Sequence, residues 1–267
     1  MHIFRYWAHA ELPAKDASGN QVQLRKWRGS NTSAEEALDD AKQAVAELAR
    51  RITGIDIGDA QQYYGPGVMP EELMGDPSPT HALTRNRYGC LVLNAESAMF
   101  VDVDMPAQGW LSKTLFGDRE KKRQESLHSW LEKHPGTGLR IYRTAAGFRY
   151  LFTHKTLPVT EETLQWQKEL GADKLYMRLC KAQQCYRARL TPKPWRMKHQ
   201  RPPNAFPRQT PKDQAAFDKW LREYEHASRD YATCRLVESR GEIHPDLENL
   251  IRLHDDSTRA ERDLPLA

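Results

Sequence analysis

The sequence predicts an α+β fold, an antiparallel sheet built from hairpins with helices packed on one face. Three observations carry this. Strand-like runs come in pairs joined by turn compositions. Helical periodicity follows such pairs instead of alternating with single strands, the order strand, strand, helix, strand, strand and then helices. The 267 residues, with seven Trp and ten Tyr, can bury a core without disulfides or metals.

Residues 2–7 alternate apolar and polar side chains, and 22–27 form a second such run across the turn-rich stretch 15–20. Ser33 before Glu35 and Glu36 is an N-cap pattern; Ala37, Ala41, Val45, Leu48 and Ile52 then recur at helical spacing, with Gly54 as a stop. Residues 63–79 are rich in Gly and Pro and read as loop, with a short helical turn after Pro70. Residues 90–93 and 98–104 read as a hairpin around 94–97, and 118–133 as an amphipathic helix with Leu127, Trp130 and Leu131 on one face. A further hairpin, 139–143 with 148–153, turns at 144–147 and is followed by helices over 160–183. Residues 192–211 read as extended, 214–227 as a helix, 232–237 as a strand and 247–253 as a short helix. The end, after His254-Asp255-Asp256, reads as an acidic turn and polar tail. The working division is an N-terminal elaboration over 1–80, a core over 81–240 and a C-terminal helix and tail over 241–267.

Net charge is +4, but its distribution is uneven. Residues 174–212 hold no Asp or Glu and eleven Lys or Arg, leaving the remainder of the chain at −7. An asymmetry of that size points to a polyanionic partner, a nucleotide or nucleic acid. Arg187, Arg189, Lys193 and Arg196 are the candidate contacts, with Trp195 and Tyr186 placed among them to stack on bases. No apolar run approaches the roughly 20 residues of a membrane span, the first residues do not resemble a secretion signal, and four cysteines read as reduced thiols. The expectation is a cytoplasmic protein with no membrane partner. Cys180 and Cys185 lack a second pair at zinc-site spacing and read as buried thiols.

The sharpest local signal is Phe100-Val101-Asp102-Val103-Asp104. Alternate strand residues share a face, so Asp102 and Asp104 point together, about 7 Å apart. Two such carboxylates repel unless a cation lies between them, and Mg²⁺ or Mn²⁺ suits carboxylate oxygens with phosphate co-ligands. Across the 139–153 hairpin, Arg149 falls opposite Tyr142, with Arg140 on the same face. Leu139, Ile141, Phe148, Tyr150 and Phe152 face the core. Carboxylates for a metal beside arginines for phosphate form a minimal site for phosphoryl or nucleotidyl transfer.

Asp102-Val103-Asp104, followed some forty residues later by Thr144-Ala145-Ala146-Gly147-Phe148-Arg149, resembles the archaeo-eukaryotic primase superfamily, which includes the primase-polymerases. The resemblance covers about residues 90–196. It implies an RRM-like core, with Asp102 and Asp104 as metal ligands and Asp173, in Gly171-Ala172-Asp173, as a third catalytic acid. It also implies nucleotide contacts from the hairpin, here Thr144, Gly147 and Arg149 together with Arg140 and Tyr142. Arg149 stands where that family has a histidine, and His154 lies five residues further on. Three readings follow: a metal-dependent nucleotide or nucleic-acid binding protein, as a nucleotidyl- or phosphoryl-transfer enzyme; a non-catalytic nucleic-acid-binding module; and a sugar-nucleotide transferase using Asp-x-Asp.

Overall fold

The computed structural model describes residues 1–15, 19–52, 69–105 and 113–267; the side chains of 52 and 113–120 lie outside that description, as does the stop at Gly54. The fold is α+β with open antiparallel sheets. Two long strands, β1 (Tyr6–Lys15) and β2 (Gln21–Ser30), pair as an N-terminal hairpin as expected, but the first runs over 6–15 where 2–7 was expected. Helix α1 (Ala34–Ile52) starts at Ser33, whose Oγ accepts from the Glu36 N–H at 3.1 Å. It buries Ala37, Ala41, Val45 and Leu48, and Leu48 packs with Ala14, Val22 and Leu24 of the hairpin.

The core begins earlier than residue 81. Residues after Pro70 form a strand, β3 (Glu72–Met74), where a helical turn was expected, and it pairs with β4 (His81–Arg85). The expected hairpin over 90–104 does not form. β5 (Leu91–Ala95) and β6 (Phe100–Asp104) are adjacent in sequence but enter different sheets. One sheet has the order β3-β4-β5-β9, with β9 spanning Tyr186–Arg189. The other has the order β10-β7-β8-β6, from β7 (Leu139–Thr144), β8 (Gly147–Phe152) and β10 (Cys234–Arg240). A strand run buried on both faces can pair with either sheet, so composition around 94–97 could not distinguish a hairpin from a crossing. The β7–β8 hairpin has the expected register, Tyr142 opposite Arg149.

Helix α2 (Lys113–Lys133) lies against the β8 face that carries Phe152, where Trp130 meets Phe152 edge to face at 5.7 Å. Helices α3 (Glu161–Glu169) and α4 (Lys174–Gln183) follow; Trp166 of α3 stacks on Phe152 at 6.2 Å. α5 spans Pro211–Ser228. The opposite face of the sheet is not open. It is covered by α6 (Pro245–Thr258), a helix twice the length expected, whose His254 packs on Phe100 at 5.2 Å. The end of the chain is packed as well: Leu266 bridges to Ala232, and Ala267 is fully buried beside Met197, Phe217, Trp220 and Tyr224. Leu264, Leu266 and Ala267 are apolar, and this pattern explains why a polar tail does not form. No described helix is long and apolar enough to cross a membrane.

Candidate functional site

β6 is the edge strand of its sheet and is paired with β8 to its last residue, at the tip of the β7–β8 hairpin. Asp104 stands exposed at that end, directly across from Gly147. Asp102 lies two residues inward, with its side chain 30% exposed. Asp173 joins them because its backbone N–H donates to the Asp102 carbonyl at 3.1 Å. Its carboxylate caps α4, accepting from the Tyr176 N–H at 2.8 Å. The three acids predicted from sequence therefore meet at one edge. The Asp104 carboxyl is pushed above its ordinary range by partial burial first, then by the charges of Asp102 and Asp173.

Lys193 and Arg196 oppose that shift, which places both cations within electrostatic reach of Asp104. Lys193 caps and Arg196 lies within a single 3₁₀ turn, Pro194–Met197. Arg189, at the end of β9, acts on Lys193 in turn. Partial burial and neighbouring cations lower the pKa of Lys193; burial lowers that of Arg189 and Arg196. Among the described residues no carboxylate forms an ion pair with these three, and the buried Nε of Arg189 has no hydrogen-bond partner. Three acids, one of them (Asp102) paired with Arg149, and three cations that no described carboxylate pairs thus share one edge of the molecule.

Several expected contacts are instead internal. Arg149 does not face outward: it is 1% exposed, and its fork grips Asp102, Nε to Oδ1 at 2.7 Å and Nη2 to Oδ2 at 3.0 Å. Its Nη1 donates to the Arg189 carbonyl at 3.0 Å and meets His254 Nε2 at 3.2 Å. A guanidinium only donates, so Nε2 accepts and the His254 proton sits on Nδ1, donated to Asp255 Oδ1 at 2.8 Å. Asp255 also accepts from the Tyr142 hydroxyl at 2.7 Å and from Arg140 at 2.5 Å. The face predicted to present Arg140, Tyr142 and Arg149 to a nucleotide is therefore a polar network buried beneath α6. The sequence reading took His254-Asp255 for a terminal turn and so supplied nothing to cover that face. Burial alone would lower the Arg149 pKa, but Asp102 more than offsets it and the net shift is upward. Burial and the nearby Arg149 hold His254 below its ordinary value of 6.5 against the opposing Asp255 bond.

Gly147 is also structural: a Cβ there would collide with the Val103 carbonyl, so the residue lets β6 approach the hairpin tip. Thr144 holds the turn, accepting from the Ala146 N–H at 3.3 Å. Arg187 is buried and pairs with Glu71 at 2.5 Å, with Gln183 as a second partner. Tyr186 is fully buried and cannot stack on a ligand, whereas Trp195 is 39% exposed. His154 follows the other end of β8, away from Asp104, and does not supply the histidine of the resemblance. All four cysteines are buried, and burial raises Cys180, Cys185 and Cys234 to about 11, 12 and 11.

Among known proteins no family model matches the chain, and no curated protein or solved structure matches it. The reading of this site therefore rests on its own chemistry.

Proposed function

We propose that the edge formed by Asp102, Asp104, Asp173, Arg189, Lys193 and Arg196 binds a nucleoside triphosphate with Mg²⁺ or Mn²⁺, for phosphoryl or nucleotidyl transfer. The observation that carries this is the meeting of the three acids with three cations that no described carboxylate pairs. Mg²⁺ is commonly held by one or two carboxylates plus substrate phosphates, its other positions filled by water. Asp104 and the outer lone pairs of Asp102 suit the metal; Lys193 and Arg196 suit the phosphate oxygens, and their charge would offset that developing on a transferred phosphoryl group. Among the described residues no group of three His, Cys, Asp or Glu side chains is poised to enclose a metal alone. The reading accordingly has the triphosphate completing the metal's shell. The primase-polymerase resemblance supports nucleotidyl over phosphoryl transfer.

One observation favours the non-catalytic alternative: both Asp102 oxygens are already bonded to Arg149. Calorimetric titration with Mn²⁺ and a non-hydrolysable triphosphate tests the reading. Asp104→Asn, and separately Lys193→Gln with Arg196→Gln, should each weaken binding at least tenfold, as expected for charge-assisted contacts of about 1.5–3 kcal/mol. Equal affinity in wild type and both variants refutes the site. Binding that depends on these residues, without turnover of any triphosphate or primed template, selects the binding module.

A further inference from the structure

Beside the acid–cation edge lies a second feature that the triphosphate leaves unused. Tyr88 and Trp195 meet edge to face, ring centroids 5.1 Å apart. Arg201 lies over the Trp195 ring at 4.9 Å and near the Tyr88 ring at 5.9 Å; Arg87 lies over Tyr88 at 4.8 Å and Lys193 near Trp195 at 5.5 Å. Both rings are carried by fixed backbone. Trp195 projects from the 3₁₀ turn while its neighbours Pro194 and Met197 are buried. Tyr88 sits in a turn closed by the Gly89 N–H to the Asn86 carbonyl at 2.8 Å, and the Asn86 side chain accepts from the Tyr88 and Cys90 N–H groups. Gly89, at φ +77°, makes room for the Trp220 ring beneath that turn. A tryptophan 39% exposed on so rigid a support keeps a ring at the surface at little further cost in entropy.

We infer that the Tyr88–Trp195 surface is a stacking platform for single-stranded nucleic acid, with Arg87, Lys198 and Arg201 following its phosphates. Among the described residues no carboxylate forms an ion pair with these three cations or with Lys193. Aromatic rings ringed by unneutralised cations match the two faces of a polynucleotide, base and phosphate. A peptide of acidic residues would satisfy the cations and leave the rings unused. A free triphosphate, held at the neighbouring edge, would leave Arg87, Lys198 and Arg201 unused. The inference names a polymeric partner for the proposed nucleotide site and rests on that reading for what lies alongside.

The test is fluorescence anisotropy of labelled dT12 with the full chain in a chelating buffer, so that failure here is separate from failure of the Mn²⁺–triphosphate titration. Wild type should bind dT12, with thymidine triphosphate and an oligoglutamate peptide as poor competitors. Trp195→Ala should weaken binding roughly 5- to 150-fold, the range of one lost stacking contact, while Trp195→Phe, which keeps a ring, should weaken it far less. Replacing Arg87, Lys198 and Arg201 by Gln should flatten the slope of log affinity against log salt by about two. rU12 as competitor reads the sugar, and displacement by it supports the same platform. The inference is overturned if wild type fails to bind either oligomer, if oligoglutamate competes as well as unlabelled dT12, or if both Trp195 variants bind as wild type does. Should Trp195→Ala melt early, the salt slope of the triple Gln variant and the affinity of Trp195→Phe decide.

Discussion

Asp102 and Asp104 belong to one Asp-x-Asp motif, yet neutralising them should have opposite consequences for the fold. Asp104 is exposed and crowded by like charge, so Asp104→Asn should leave stability unchanged or slightly raised. Asp102 is the ionic partner of Arg149, and a guanidinium cannot relieve its burial by losing a proton. In Asp102→Asn the amide still accepts one bond, but the buried positive charge loses its counter-charge. Removing one partner of a buried pair costs about 3–5 kcal/mol; with the Asp102 side chain 30% exposed, water offsets part of it, and about 2–4 kcal/mol is expected. Arg149→Met should cost as much, because it also strands the Arg189 carbonyl and His254 Nε2. The double variant Asp102→Asn with Arg149→Met should be less destabilised than the sum of the singles by at least about 2 kcal/mol, since both charges leave together. Urea denaturation of the four proteins gives this coupling directly. If Asp102→Asn unfolds within about 0.5 kcal/mol of Asp104→Asn, the uncertainty expected for an unperturbed surface site, the burial argument fails.

The buried His254 carries a pH signature. Its folded pKa lies below its ordinary 6.5, so the unfolded chain binds the extra proton; stability is full above about pH 7 and is lost as pH falls below 6.5. Denaturation midpoints measured from pH 5 to 8 should show that loss in wild type and a flatter profile in His254→Gln. Arg187→Gln should destabilise by about 2–4 kcal/mol through stranding of Glu71, whereas Arg196→Gln should cost less than about 0.5 kcal/mol; thermal melts with equal shifts would contradict the distinction.

Much of the fold was legible in the sequence for a simple reason: short-range patterns act locally. Turn composition and alternation placed β7 and β8 in the correct register, and Ser33 with the Ala37–Ala41–Val45–Leu48 spacing placed α1. The crossing between β5 and β6 was not legible, because nothing local says which sheet a strand run will join. At the site, Asp102 and Asp104 were placed on one face by strand geometry alone, whereas Asp173 came only from the family resemblance. Arg149, Arg140 and Tyr142 were correctly placed on that same face but wrongly exposed, since what covers them, α6, lies about a hundred residues away in sequence. The acid-free segment misled in one respect. A run of Arg without acids counts charges along the chain, whereas Glu71 and Glu72 reach Arg187 and Arg208 from outside it.

These internal partners sharpen what the charge asymmetry means. Of the eleven cations in 174–212, Arg187 and Arg208 are neutralised within the fold, and Lys181 pairs with Glu161 on the surface. The remaining charge is not spread evenly: Arg189, Lys193 and Arg196 gather at the acids, while Lys198 and Arg201 continue past Trp195. The network from Arg140 through Asp255, His254 and Arg149 ends on Asp102, so the C-terminal helix and the acidic edge are mechanically one unit. An Asp102 carboxylate gripped by a fork cannot swing away from a ligand, and its position is fixed before anything binds. That arrangement trades chelating freedom for preorganisation. In the proposed site it is a reason for Asp104, which has no such restraint in the described structure, to be the carboxylate that would adjust to a metal.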